Sequence, residues 1–325
     1  MAGEPAMSIR ELRHQLAQYL AVRSALGLKD RGRKSLLQDF LRYLVEIPFD
    51  GSVSIHLAVD WAVTTPIARA TGLAGPARRL SAVRGFLSHV RASNPQVEVP
   101  PARLLAAAKG RRPYLYSSDQ IADLLNAALA IRRGGSLRPH TYATLLGLMA
   151  STGIRVGEAI RLKVCDVELD ADPSLLQIRE SKFGKSRIVP LHPTTAERLK
   201  RYVRLRTRLG YSKHSDAFFV SERGGHLNYG CLVQWFTRTV RGMGMYPPDG
   251  RRTPTLHGLR HYFAIERLTL WCHQGACIQD LAPQLSVYLG HVKPQQSYWY
   301  LTATPELLHI AGESFQRFAN TGVSQ

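Results

Sequence analysis

The sequence predicts a mostly helical α+β chain of two domains: a small helical bundle, then a larger, mainly helical domain with a small antiparallel sheet. Three observations lead there. Apolar residues recur at helical spacing through most of the 325 residues. A proline-rich, basic stretch interrupts them near residue 110. One segment, residues 175–191, instead carries two short β-prone runs around a Lys/Gly turn, which is how a hairpin reads in sequence.

Taken in order, residues 8–26 place Ile9, Leu12, Leu16, Leu20 and Val22 at roughly helical spacing, and Gly27 supplies the stop. A second helix follows in SLLQDFLRYLVEI, ended by Pro48, and shorter ones in SIHLAVDWAV and RRLSAVRGFLSHVRAS, the last ended by Asn94-Pro95. The connector then runs through Lys109-Gly-Arg-Arg-Pro, either a solvated linker or a basic strap along a polyanion, and sets a boundary between residues 1–110 and 111–325. Beyond it, SSDQIADLLNAALAIRR opens on a serine N-cap, and RPHTYATLLGLMASTG gives a largely buried helix ending at Gly153. After the hairpin, helical patterns return in TTAERLKRYVRLRTRL, NYGCLVQWFTRTVRGMG, HGLRHYFAIERLTLWCHQG and DLAPQLSVYLGH. Near the end, Thr304 reads as an N-cap and Pro305 as the first helical position. The helix they open would carry a stripe of Leu307, Leu308, Ile310, Ala311, Phe315 and Phe318.

Composition narrows the function. With 45% apolar and 21% charged residues the chain reads as folded and soluble. Its 43 Lys and Arg against 24 Asp and Glu leave a net charge of +19, more than solubility requires, and point to a nucleic-acid partner. The basic residues are spread out, which disfavours membrane-surface binding, and no run of eighteen apolar residues offers a transmembrane helix. The start lacks an apolar signal segment, so Cys165, Cys231, Cys272 and Cys277 read as reduced thiols of a cytoplasmic protein. The spacing of Cys272, His273 and Cys277 fits no standard zinc ligand set, and no metal is expected.

Attack on a phosphodiester needs a nucleophile, proton carriers, and cations for the charge growing on the non-bridging oxygens. Arginine suits the last task, because its planar fork grips phosphate and stays charged. Arg155 in STGIRVGEAIRL and Arg260 in TLHGLRHYF stand out, although each alone is as compatible with a surface ion pair.

These segments resemble a family. STGIRVGEAIRL looks like the first box of the tyrosine recombinases, LHGLRH is similar to their His-x-x-Arg box, and LGHVKPQQSYWY to their Leu-Gly-His run with a tyrosine downstream. All three occur in the family's order, over roughly residues 113–320. The resemblance implies that Arg155 and Arg260 clamp a DNA phosphate, with His257 beside them as a proton-transfer or hydrogen-bonding group and His291 as a further phosphate contact. It makes Lys182, in the hairpin, the acid that protonates the leaving 5′-oxygen, with Lys185 as competitor. Tyr300, nine positions after His291, takes the role of nucleophile, with Tyr298 as rival. On a helix those two tyrosines would lie roughly 200° apart, so they cannot both face one site. Glu158 could orient Arg155 from one turn away or sit on the helix surface, and His261 is either a supporting group or a packed core histidine.

The resemblance also implies a C-shaped clamp on double-stranded DNA, with residues 1–110 as a helical, SAM-like core-binding domain and residues 111–325 as the catalytic domain. Two chains would bind each recombination site and four would form the synapse, with accessory recombination proteins as further partners and no cofactor. The terminal helix would dock either on its own domain or on a neighbouring subunit. The Tyr-Trp-Tyr cluster followed by LTATPELL is similar to integrases of transposons and plasmids, which implies DNA integration or transposition of a mobile element inside a bacterial-type cell, at the nucleoid. The same residues would also serve a type IB topoisomerase, and the charge alone would serve a non-cutting architectural protein.

Overall fold

The computed structural model describes residues 7–28, 32–64, 75–105, 113–131, 135–179, 184–211, 215–245, 253–291, 295–305, 307–309 and 312. Two compact units emerge, Met1–Gly110 and Arg111–Gln325.

In the first unit, helices α1 (Ile9–Ala25), α2 (Arg33–Glu46), α3 (Ile55–Thr64) and α4 (Pro76–Arg91) enclose one apolar core. Helix α1 starts at a capping box in which Ser8 Oγ accepts from the Glu11 amide at 3.2 Å and the Glu11 carboxylate accepts from the Ser8 amide at 2.7 Å. Leu12 and Leu16 face inward beside Phe40, Leu44, Phe86 and Leu87. A polar group is built into this core: the Trp61 indole N–H donates to Asp39 at 3.1 Å, and the buried Arg79 guanidinium lies 3.7 Å from the same carboxylate oxygen and over the Trp61 ring. Removing the carboxylate takes the ion-pair partner from a buried guanidinium, which is costly in a poorly solvated site. Asp39→Ala is therefore expected to cost this unit about 3–5 kcal/mol. Urea unfolding of the full chain followed by circular dichroism should show its first transition at markedly lower denaturant.

The second unit wraps its helices around α6 (Arg138–Thr152), which is buried along most of its length. Helix α5 (Ser118–Leu129), opened by the Ser117 N-cap, lies on one side, and α8 (Pro193–Arg208) and α9 (Tyr229–Gly242) complete the core with α10 (Gly258–His273). The sheet is antiparallel in the order β1 (Val167–Glu168), β2 (Leu175–Ile178), β3 (Arg187–Pro190). Strand β1 is two residues long, too short to leave an alternating pattern, and so the sequence reading found only the hairpin. Pairing of Leu176 with Val189 and of Ile178 with Arg187 turns Leu176, Ile178 and Val189 into the core and leaves Ile188 on the solvent face.

Gly153 ends α6 in the left-handed conformation, at φ +63°. A side chain there would meet Phe263 at 2.6 Å and Leu289 at 2.8 Å, so this stop needs glycine for space as well as for backbone freedom. Helix α11 (Ile278–Leu289) ends the same way at Gly290, φ +68°. These two stops point helix-terminal carbonyls towards one another's neighbourhood, and the candidate site is assembled on them. No described helix is long and apolar enough to cross a membrane.

Candidate active site

Arg155 follows the Gly153 stop and sits at the N-cap of a short helix, α7 (Val156–Arg161). Its backbone N–H and one guanidinium nitrogen both donate to Glu158, at 2.9 and 2.7 Å, and its other terminal nitrogen donates to the Gly290 carbonyl at 2.9 Å. The Glu158 carboxylate is nearly sealed from solvent, its side chain 2% exposed, and it holds a second cation. Arg187 grips it with both terminal nitrogens, at 3.1 and 2.8 Å, while Arg187 Nε donates to the Tyr288 carbonyl at 2.8 Å. One buried carboxylate thus ties together α7, β3 and the end of α11. Glu158 is buried and bonded to Arg155, not on the helix surface.

Arg187 escaped the sequence reading. Its signal was available in the alternation of β3: the position two before the inward Val189 also points inward, and a charged residue there needs a buried partner.

Arg260 lies in the first turn of α10 and is 1% exposed. Its terminal nitrogens donate to the carbonyls of Gly153 at 2.8 Å and Leu289 at 2.6 Å, which are orphan acceptors at the ends of α6 and α11. Burial pulls its pKa down to about 9, helped by the like charge of Arg155 and opposed by Tyr300 and Glu158. The group stays protonated at neutral pH, a cation held by dipoles next to a second cation. His257, at the N-cap of α10, keeps an exposed surface, yet the protein around its ring and then the charges of Arg260 and Arg155 hold its pKa below the ordinary histidine value. Its ring meets that of His261 edge-on at 4.8 Å.

Tyr300 stands in a single 3₁₀ turn, Trp299–Thr302, that follows α12 (Gln295–Tyr298). It is 1% exposed, whereas Tyr298 is 45% exposed, so the two tyrosines do part company and the rival is a surface residue. His261 Nδ1 and the Tyr300 hydroxyl are 3.0 Å apart. Trp299 packs on both, with centroids 5.0 Å from His261 and 4.3 Å from Tyr300. Burial raises the pKa of the phenol, while the charge and hydrogen bond of Arg260 and the charge of Arg155 act the other way. His291 lies nearly parallel to the Tyr300 ring at 6.5 Å, and its Nδ1 is 2.7 Å from Ser297 Oγ. Burial, then the charges of Arg260 and Arg155, push its pKa down to about 4, so it is neutral at physiological pH.

The structure therefore brings Arg155, Glu158, His257, Arg260, His261, His291 and Tyr300 into one cluster and adds Arg187. Lys182 lies outside the described residues; Lys185 is exposed just ahead of β3. Of the terminal stripe, Leu307 is buried and Leu308 exposed, Thr304 Oγ accepts from the Leu307 amide at 3.2 Å, and Ile310, Ala311, Phe315 and Phe318 lie outside the described residues. Among the described residues no group of three His, Cys, Asp or Glu could hold a metal ion. Chemically the cluster offers two adjacent arginines for an oxyanion, a neutral His291 imidazole, and a phenol whose ionisation is opposed by burial and helped by those arginines.

Residues 116–304 match the phage integrase family. A protein of Sinorhizobium fredii named as an integrase/recombinase, y4rB, is 37% identical over 310 residues, covering 94% of this chain and 97% of that protein. The tyrosine recombinase XerD of Ralstonia nicotianae is 31% identical over 220 residues, 67% of this chain and 63% of its own. Among solved structures, the XerH site-specific recombinase bound to difH substrate shares the fold at TM-score 0.65 and 18% identity, covering 95% of this chain and 85% of that one. A lambda integrase dimer bound to a COC′ core site does so at TM-score 0.63 and 19% identity, covering 89% and 94%. Matched along more than half its length by the family and along nearly all of it by a close relative, the chain belongs to the phage integrase family of tyrosine-type site-specific recombinases.

Proposed function

We propose that the chain cuts and rejoins DNA at specific sites through a 3′-phosphotyrosyl intermediate, for the movement of a mobile genetic element. The observation that carries this reading is the buried Tyr300 phenol, 3.0 Å from His261 and within the electrostatic reach of the Arg260 and Arg155 guanidinium groups. Arg155 and Arg260 neutralise the scissile phosphate, His257 and His291 add hydrogen bonds to its oxygens, and Tyr300 attacks phosphorus. Lys182 protonates the departing 5′-oxygen; an ammonium suits this because it carries both the proton and a positive charge. The covalent link conserves the bond energy of the phosphodiester, so neither nucleotide nor metal is required, and a 5′-hydroxyl from a second strand can reverse the cut.

Residues 1–110 serve as the core-binding domain and residues 111–325 as the catalytic domain. The net charge of +19 supports tight, salt-sensitive binding of double-stranded DNA. Two chains act at each site and four in the synapse, a reading supported by the lambda integrase structures, one a dimer on a core site and one a tetramer on a Holliday junction. The mobile-element role draws support from the S. fredii relative and from the Tn1549 transposon integrase, which shares the fold at TM-score 0.64. Accessory recombination proteins and action at the bacterial nucleoid belong to the same proposal.

Nicked duplexes carrying sequences from the ends of its own element provide the test. The wild type and Tyr298→Phe should form a denaturation-resistant protein–DNA adduct, and Tyr300→Phe should form none. Loss with Tyr298→Phe alone would move the nucleophile two positions. Tight binding with no adduct from any variant would favour an architectural role.

A further inference from the structure

Tyr300 must give up a proton to become a nucleophile, and the structure limits what can take it. At 1% exposure the phenol is shut off from hydroxide in bulk water. Arg260 and Arg155 are cations with no acceptor to offer. His291 lies flat beside the phenol ring with its Nδ1 engaged by Ser297, and its basicity is strongly suppressed. His257 is likewise a weakened base, and it reaches the region through an edge-on contact with His261. Among the described residues, the hydrogen bond joining the phenol oxygen to a group that can accept a proton is the one to His261 Nδ1, at 3.0 Å. The ring is also held in place. It follows Arg260, which is anchored on two carbonyls, and it is walled by Trp299 at 5.0 Å and His257 at 4.8 Å.

We propose that His261 is the general base of the tyrosine step: its Nδ1 takes the Tyr300 hydroxyl proton as the phenol oxygen bonds phosphorus, and returns it when the strand is rejoined. This rests on the strand-transfer reading above. In the forward direction the phenol O–H bond breaks as the His261 N–H bond forms, with the ring's original proton on Nε2. The phenol oxygen bonds phosphorus while the bond from phosphorus to the 5′-oxygen breaks, and that oxygen takes its proton from Lys182. Attack by a 5′-hydroxyl runs every transfer backwards and leaves His261 neutral again. His261 therefore touches a reacting atom, while His257 is left to serve the phosphate oxygens.

Single-turnover adduct formation on a nicked suicide duplex tests this, with His261→Gln and His261→Ala compared on an ordinary substrate and on one whose leaving oxygen is replaced by sulfur. Glutamine keeps an acceptor near the phenol but cannot take the proton. Both variants should slow adduct formation about 10²-fold or more, the usual share of a general base, with duplex binding and thermal unfolding close to wild type. The sulfur substrate should not restore them, because a thiolate, whose conjugate acid has a pKa of about 8.5, leaves without a proton and relieves only the acid's task. Free imidazole should partly restore His261→Ala, since His261 lines an open cavity of ≈ 380 Å³. Wild-type rates from His261→Gln would overturn the proposal by reducing the contact to a hydrogen bond. Rescue of both variants by sulfur would overturn it by moving His261 to the leaving-group side. Absence of any adduct from the wild type would instead overturn the strand-transfer reading itself.

Discussion

Replacing Glu158 by alanine is expected to destabilise the second unit by about 3–5 kcal/mol and to disable cleavage as well. The carboxylate accepts from Arg155 and, through both terminal nitrogens, from Arg187, and its side chain is only 2% exposed. Without it two guanidinium groups would remain in a poorly solvated site with their mutual repulsion unrelieved. Arg155 would keep its bond to Gly290, but its remaining charge would no longer be aimed by a fixed partner. Glu158→Gln should fall between wild type and alanine, because the amide keeps one acceptor oxygen and loses the charge. Thermal unfolding of the full chain, paired with adduct yield on the suicide duplex, checks both parts. A Glu158→Ala protein that melts with the wild type would show that solvent replaces the carboxylate.

Arg260→Lys should leave duplex binding nearly intact and reduce adduct formation by about 10²–10³-fold, the cost of losing one preorganised donor at a developing oxyanion. Arg260 spans the carbonyls of Gly153 and Leu289 with two separate nitrogens while remaining a cation beside the phenol. A lysine ammonium is a single point charge and cannot bridge both carbonyls and still present a planar edge to phosphate. Binding should survive because the electrostatic affinity for duplex DNA is shared over many cations of a chain with net charge +19. Alanine should do more harm, since each buried carbonyl left unpaired costs about 1–3 kcal/mol. Gel-shift affinity and single-turnover rates on the same duplex separate the two effects. A parallel loss of affinity and rate would assign Arg260 to ground-state binding.

Much of this molecule is written locally. The Ser8 and Ser117 caps and the left-handed stops at Gly153 and Gly290 involve partners within a few residues, so short stretches of sequence suffice to place the helix ends. The positive charge, the hairpin and the ordered segments around Arg155, Arg260, His291 and Tyr300 were legible for the same reason, each being a run of neighbours. The two-residue strand β1 was not, because alternation needs more residues than it has.

Side-chain pairing across the chain was beyond such a reading. Arg260 meets carbonyls 107 and 29 residues away, Arg155 one 135 residues away, and His261 a phenol 39 residues away. Arg187 belongs to no motif: the alternation of β3 marks it as inward, but only the folded register turns it onto Glu158. The sequence by itself determined the fold class, the family and a short list of candidate side chains. Which tyrosine is buried, which histidine touches it, and which carboxylate holds two arginines were decided by tertiary packing. Periodicity and capping act over a single turn, whereas a buried charge takes whichever partner the closed core brings within hydrogen-bonding distance.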